Sequence, residues 1–358
     1  MSCAMLALLG DPTLPPPPGT VDGDERCVAL DLDVAGRLTE GWPKVGVYRG
    51  VSIPRARAEA AISDRGVTAR FGLGTARSGG ETGYIGIDGE SIVPVVQVAE
   101  ARVSLPKLGL QTSLGLIDDP WVVSGERLWG LNAVALSFGN QAGWLERSDL
   151  GGRVAWTSPS GFVSASGTLA SGEGFRRRER NNGLDLTGVV TVRPLAEAVA
   201  PETLEISAFA RDGSRGLGFA RDHRLGARIT TRTEPIDAGA EVLAAYGVDG
   251  DAARAPFGGS AWVVARPWGP LQAFARLDGA REIPGQADSG WRTLRIGVGA
   301  GIPFEEPLGR VWLAYEDGAA GASAAPVAGA EALARWQRLW LQVEVHLQGA
   351  AALGAEGE

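Results

Sequence analysis

From Cys27 onward, apolar residues recur at every second position in runs of roughly eight to twelve residues, each closed by a Gly, Pro or Asp cluster. Val28, Leu30, Leu32 and Val34 alternate with Asp31 and Asp33, and Val67, Ala69, Phe71 and Leu73 with Thr68 and Arg70. Leu184, Leu186, Val190 and Val192 alternate with Asp185, Thr187, Thr191 and Arg193. Leu271, Ala273, Ala275 and Leu277 do so with Gln272, Arg276 and Asp278, and Leu339 to Leu347 against Gln342, Glu344 and His346. A period of two puts one set of residues on each face of a strand, whereas a helix would scatter them around its surface.

The connections alternate too. Short ones, such as Asp64-Arg65-Gly66, Pro106-Lys107 and Gly269-Pro270, are interleaved with longer polar segments at 77–93, 117–148, 172–182, 213–221, 249–257, 280–289 and 318–335. Short turns on one rim and long loops on the other are the layout of a closed transmembrane barrel. The fold expected is all-β: a single closed antiparallel transmembrane β-barrel of about 16 strands. Its short turns face the periplasm, its long loops lie outside the cell, and both ends of the barrel sit on the short-turn side. Residues 1–26 read as a truncated signal-like leader with a Pro-rich spacer, 27–348 as the barrel, and 349–358 as a C-terminal tail. The alternative is a soluble sandwich or propeller. That would need a full Leu, Ile and Phe core, and here Ala, Gly and Val often fill the apolar face.

Composition narrows the class further. Mean hydropathy is +0.01, which suits a barrel in which only alternate residues meet lipid. No apolar run approaches the ~20 residues of a spanning helix. The net charge of −8 excludes a nucleic-acid partner that needs a basic patch. Cys3 and Cys27 make neither a disulfide framework nor a CxxC metal signature. There is no GxSxG elbow, and the histidines are His223 and His346 alone. We therefore expect no enzyme, no metal and no cofactor; His346 has the parity of a solvated lumen residue.

Four segments in the middle third carry a resemblance: Gly115-Leu-Ile-Asp-Asp-Pro-Trp121, Arg147-Ser-Asp-Leu-Gly-Gly-Arg153, Ala170-Ser-Gly-Glu-Gly-Phe175 and Val190-Val-Thr-Val-Arg-Pro194. They are similar to outer-membrane porins of the broad phosphate-porin-like group, over about a third of the chain. One departure stands out. Such barrels commonly finish on a terminal aromatic, and this last strand reaches Leu347-Gln348 with the chain continuing to Glu358.

Parity sorts the charges. Arg57, Arg70, Arg102, Arg153, Arg193, Arg228 and Arg276 face inward, with Arg37, Arg211, Arg295 and Arg310. The inward acids include Asp31, Asp33, Glu59, Glu100, Asp185, Glu205, Glu241, Asp278 and Glu344. Arginines lining a pore favour anions, unless they pair with acids on neighbouring strands. The longest loop, 117–148, carries Asp118, Asp119, Glu126, Arg127, Glu146 and Arg147, and its apolar piece Leu131 to Phe138 gives it something to pack with. Folded inward, it would constrict the lumen. Arg176, Arg177, Arg178 and Arg180 follow in the next loop as a candidate contact for lipopolysaccharide phosphates. Trp156, Phe162, Trp268, Trp291, Trp312, Tyr315 and Trp336 fall near strand ends, where an aromatic girdle belongs.

The function expected is a channel in the Gram-negative outer membrane for passive diffusion of small hydrophilic solutes, with modest anion preference. Its surroundings would be outer-membrane lipid and lipopolysaccharide, and its assembly a homotrimer or an envelope complex. The competing expectation is a non-conducting barrel that anchors a motility or polysaccharide-export machine.

Overall fold

The computed structural model describes residues 27–43, 48–77, 92–172, 174, 183–196, 203–215, 220–301, 309–321 and 335–352. The strands are β1 (Cys27–Pro43), β2 (Tyr48–Asp64), β3 (Val67–Arg77), β4 (Ile92–Leu105), β5 (Leu110–Asp118), β6 (Ser148–Thr157), β7 (Val163–Ala170), β8 (Asp185–Val192) and β9 (Leu204–Asp212). A small ribbon follows, β10 (Ser214–Arg215) with β11 (Ala220–Arg221). Then come β12 (His223–Thr233), β13 (Ile236–Tyr246), β14 (Phe257–Trp268), β15 (Leu271–Arg281), β16 (Gly290–Gly301), β17 (Gly309–Ala320) and β18 (Arg335–Ala352). Apart from the ribbon, each strand pairs antiparallel with its neighbours in sequence. The sheet closes where β1 meets β18, in register from Cys27↔Ala352 to Pro43↔Trp336. A closed sixteen-stranded barrel leaves no edge and satisfies its backbone internally, which is what a strand protein needs in hydrocarbon.

The alternation becomes two surfaces. Leu30, Leu114, Leu186, Leu225 and Leu313 point outward and are 57%, 70%, 60%, 62% and 48% exposed. Each such side chain would gain ~1.5–3 kcal/mol by leaving water. A whole belt of them is therefore a lipid-facing surface. The inward positions between them are polar and mostly buried, among them Glu59, Arg70, Glu100, Arg153, Arg228 and Asp278.

The tight turn between β2 and β3 shows why particular residues stand where they do. Arg65 and Gly66 both adopt positive φ, 48° and 80°, and a Cβ on Gly66 would lie 2.9 Å from the Ser104 carbonyl oxygen. Only glycine fits so close to a neighbouring strand.

Two expectations need correcting. The last strand ends at Ala352, with Gly349 opposite Leu30, so the barrel runs past residue 348. Gly349-Ala-Ala-Ala352 offers no polar contrast to mark it as a strand. Nor do all the strand-end aromatics form a girdle: Trp291, Trp312 and Trp336 are 4%, 0% and 3% exposed and point inward. Their parity decides this; Trp312 lies between outward Val311 and Leu313, for example. Trp156, Phe162 and Trp268 do face outward, 39%, 42% and 75% exposed. Residues 1–26 and the arginines at 176–180 lie outside the described residues.

Candidate functional site

The segment between β5 and β6 enters the barrel. Gly115 of β5 takes φ +124° where a Cβ would lie 2.3 Å from the Ala99 carbonyl oxygen, so only glycine fits there. Asp119 then caps a helix, α1 (Pro120–Trp129), accepting hydrogen bonds from the backbone N–H groups of Trp121 and Val122 at 2.9 Å each. Pro120 takes the first helical turn, and Gly130 ends the helix in the left-handed conformation, its N–H donating to the Glu126 carbonyl at 2.9 Å. Burial pushes the Asp119 carboxyl above its ordinary range, against the two N–H donors that favour its ionised form. A single further turn, α2 (Phe138–Gln141), precedes the return to β6.

Apolar packing holds this insert against the inner wall. Trp121 stacks on Phe209 of β9 with centroids 5.2 Å apart. Trp121, Val122, Phe138, Trp144 and Leu145 share one cluster with Val189, Leu243, Trp291 and Trp336 of the wall. Trp129, Leu131, Val134 and Ala135 share a second with Val264, Phe274, Trp312 and Trp340. The three inward tryptophans thus serve as wall sockets for the loop.

Polar contacts then tie it around much of the circumference. Arg37 of β1 donates to the Ala133 carbonyl at 2.7 Å, and Arg224 of β12 to that of Trp144 at 3.0 Å. Arg228, also on β12, donates to the Trp121 carbonyl and Ser124 Oγ at 3.0 Å each, and lies 4.0 Å over the Trp121 ring. The Phe138 N–H donates to Glu241 of β13 at 3.1 Å, and Arg127 pairs with Glu205 of β9 at 3.3 Å. Arg295 of β16 donates to Gln141 at 3.4 Å.

At its base the loop is locked by charge. Arg70 reaches Glu59 at 3.0 Å, Glu100 at 3.2 Å and Asp118 at 2.7 Å, while Arg102 pairs with Glu100 and Arg57 with Glu59. Arg147 pairs with Glu126 and lies 3.6 Å from Asp118, and Arg153 donates to the Asp118 carbonyl at 2.9 Å. Burial works against the Arg147 guanidinium, but Glu126 and Asp118 outweigh it and hold the group above its ordinary value. Of the six charged residues singled out in this loop, Asp118, Glu126 and Arg147 join this knot. Asp119 is the helix cap, Arg127 points to the far wall, and Glu146 lines a small cavity of about 20 Å³ with Asp149 and Asp185.

The inward arginines are mostly partnered. Arg193 meets Glu205 at 3.3 Å, Arg228 meets Glu241 at 2.7 Å, and Arg276 meets Asp278 at 2.9 Å. On that wall Arg224, Arg276, Asp222 and Asp278 have side chains at most 1% exposed. The contrast lies across the lumen. Asp31, Asp33 and Arg37 of β1, Arg310 of β17, and Arg338, Glu344 and His346 of β18 remain partly exposed on one stripe, with Arg55 and Arg57 of β2 at its edge, their side chains 14% and 13% exposed. Within it Asp33 pairs with Arg55, and His346 lies 3.5 Å from Asp31. Reading parity alone could not separate this wet stripe from the sealed wall, because both alternate identically and only the loop distinguishes them. The second histidine, His223, sits at the long-loop end of β12, 2.7 Å from Asp212.

No protein-family model matches the chain, and no curated protein matches it. Among solved structures it is similar to an anion-selective porin from Comamonas acidovorans, with a TM-score of 0.63 and 11% identity over 90% of this chain and 100% of that one. It is similar to the outer membrane channel DcaP of Acinetobacter baumannii, at 0.60 and 10% over 93% and 100%. The trimer form of OmpT, an outer membrane protein of Vibrio cholerae, gives 0.57 and 11% over 90% and 100%. At such identities the shared property is the fold. With the lipid-facing belt, it makes this chain a porin-like outer-membrane β-barrel.

Proposed function

We propose that the protein is a channel for passive diffusion of small hydrophilic solutes, and that loop 117–148 constricts it. The observation that carries this reading is the asymmetry of the lumen. The loop is packed against β8, β9 and β12–β18, whereas charged side chains of β1, β2 and the adjoining part of β18 stay partly exposed beside it. Water and solute would move along that stripe, off the barrel axis. A sixteen-stranded barrel is wide enough to keep an aqueous path beside an inserted loop.

Charge supports a modest anion preference. The partly exposed stripe carries Arg37, Arg55, Arg310 and Arg338 against Asp31, Asp33 and Glu344, with Arg57 paired to Glu59. The preference would come from this stripe; Arg193, Arg228 and Arg276 are neutralised by Glu205, Glu241 and Asp278. A homotrimer is the assembly we propose, by likeness to the trimer form of OmpT.

The test is conductance in a planar bilayer under a KCl gradient. Discrete channel openings with a reversal potential favouring chloride are expected, and deletion within 122–144 should raise the conductance. A correctly folded barrel that passes no current would overturn the reading and leave a structural anchor in its place.

A further inference from the structure

Arg37 sits where the wet stripe meets the tip of the inserted loop. It lies midway along β1, directly opposite Gln342 of β18, with its guanidinium 4.2 Å over the Trp340 ring. Nε donates to Gln342 Oε1 at 2.8 Å. Nη2 donates to two loop carbonyls, Ala133 at 2.7 Å and Val134 at 3.2 Å. Both carbonyls belong to the tip, whose Leu131, Val134 and Ala135 pack on Trp312 and Trp340. Nη1 makes no hydrogen bond among the described residues, and the side chain is half-exposed. Two edges of the planar fork are thus committed to protein, and the third edge is turned to the path.

We propose that Arg37 is both a latch for the loop tip and the contact that selects solutes bearing a carboxylate. A guanidinium has donors only and is charged at every working pH, so Nη1 offers a carboxylate one charge-assisted hydrogen bond. Bound at Nε and Nη2 and stacked on Trp340, it is already ordered, so a solute that reaches Nη1 meets a fixed donor. Arg338 lies two inward positions from Gln342 along β18, opposite Glu316 of β17 at 3.9 Å; Glu316 is buried and also bound by Arg295 at 2.6 Å, so two arginines share that one acid on this side of the lumen. The inward acids Asp31 and Asp33 lie nearer the short-turn rim, so an anion meets the arginines first from the long-loop side. This proposal rests on the lumen conducting.

The experiment is ion current through the full chain in KCl, with malonate as the probe, comparing wild type with Arg37→Gln, Arg37→Lys and Gln342→Ala. Malonate should reduce the wild-type current, and Arg37→Gln should weaken that block about tenfold, the loss of one charge-assisted hydrogen bond. Arg37→Lys keeps the charge but not the fork, so block should persist while open-channel noise rises as the tip loosens. Gln342→Ala removes the acceptor that orders Arg37 at Nε, so it should raise the noise and weaken the block, by less than Arg37→Gln does. Folding of each variant is checked by heat-modifiable electrophoretic migration. If Arg37→Gln does not fold, wild-type noise in both other variants overturns the latch. Unchanged block in a folded Arg37→Gln, or a conducting wild type indifferent to malonate, overturns the contact. A silent wild type instead overturns the channel reading itself.

Discussion

The guanidinium of Arg70 on β3 donates to the carboxylate of Asp118 at 2.7 Å, and Asp118 is the last residue of β5 before the chain turns into the barrel. The same guanidinium holds Glu59 and Glu100, so one buried cation fixes three carboxylates from three strands. Its own side chain is 5% exposed, and those of Glu59, Glu100 and Asp118 are 4%, 0% and 0%.

Replacing Arg70 with Met should therefore leave three buried acids without their shared partner. Truncating one side of such a knot costs ~3–5 kcal/mol, far more than the net worth of an exposed pair. Urea unfolding of the barrel refolded into lipid vesicles measures it. A cost below about 1 kcal/mol would mean the knot is hydrated and weak.

The loop has its own weak point at Asp119. Asp119→Ala removes the acceptor for two helix N–H groups and should destabilise the inserted loop by ~1 kcal/mol, with Asp119→Ser restoring most of it. Because the barrel strands are untouched, the effect belongs in the loop: faster trypsin cleavage at Arg127 with unchanged unfolding of the barrel. Equal protection in Asp119→Ala and wild type would show that packing, not capping, holds the helix.

Much of this architecture was legible and some was not, for identifiable reasons. The period of two needs no partner to be visible, so strand faces and the closed barrel could be read from residues such as Leu30 and Asp31 alone. The helix was written locally too, in Asp119-Pro120 and Gly130, but an apolar run with tryptophans inside a loop disguised it. Partner choice was not legible. That Arg70 meets Asp118, or that Trp312 supports Val134 and not the lipid interface, depends on cross-strand register and on where the loop lands. Neither leaves a periodic trace.

Adjacent residues of β18 test the two surfaces directly. Val345 faces lipid near the middle of the strand, opposite Val34, and His346 faces the wet stripe. Arg at the lipid midplane costs ~2–4 kcal/mol. Val345→Arg should impair insertion by about that much, while His346→Arg, which stays beside Asp31 and Asp33, should be near neutral. Thr191 is a poorer inward partner for such a comparison, being 6% exposed and bonded to Ser207 at 2.9 Å. Equal costs at 345 and 346 would contradict the assigned faces.

An off-centre path puts Ser52 and Ser207 on opposite sides of the inserted loop, and two isosteric substitutions separate them. Ser52 of β2 lies opposite Arg37 on the partly exposed stripe, and Ser207 of β9 is 6% exposed on the wall sealed by the loop. Each is replaced by cysteine, and current is recorded while a cationic thiol reagent is added to a wild type that does not respond to it. The current through Ser52→Cys should fall on modification, and that through Ser207→Cys should be unaffected. A fall in Ser207→Cys with none in Ser52→Cys would put the solute path on the opposite side of the loop and contradict a path along the stripe.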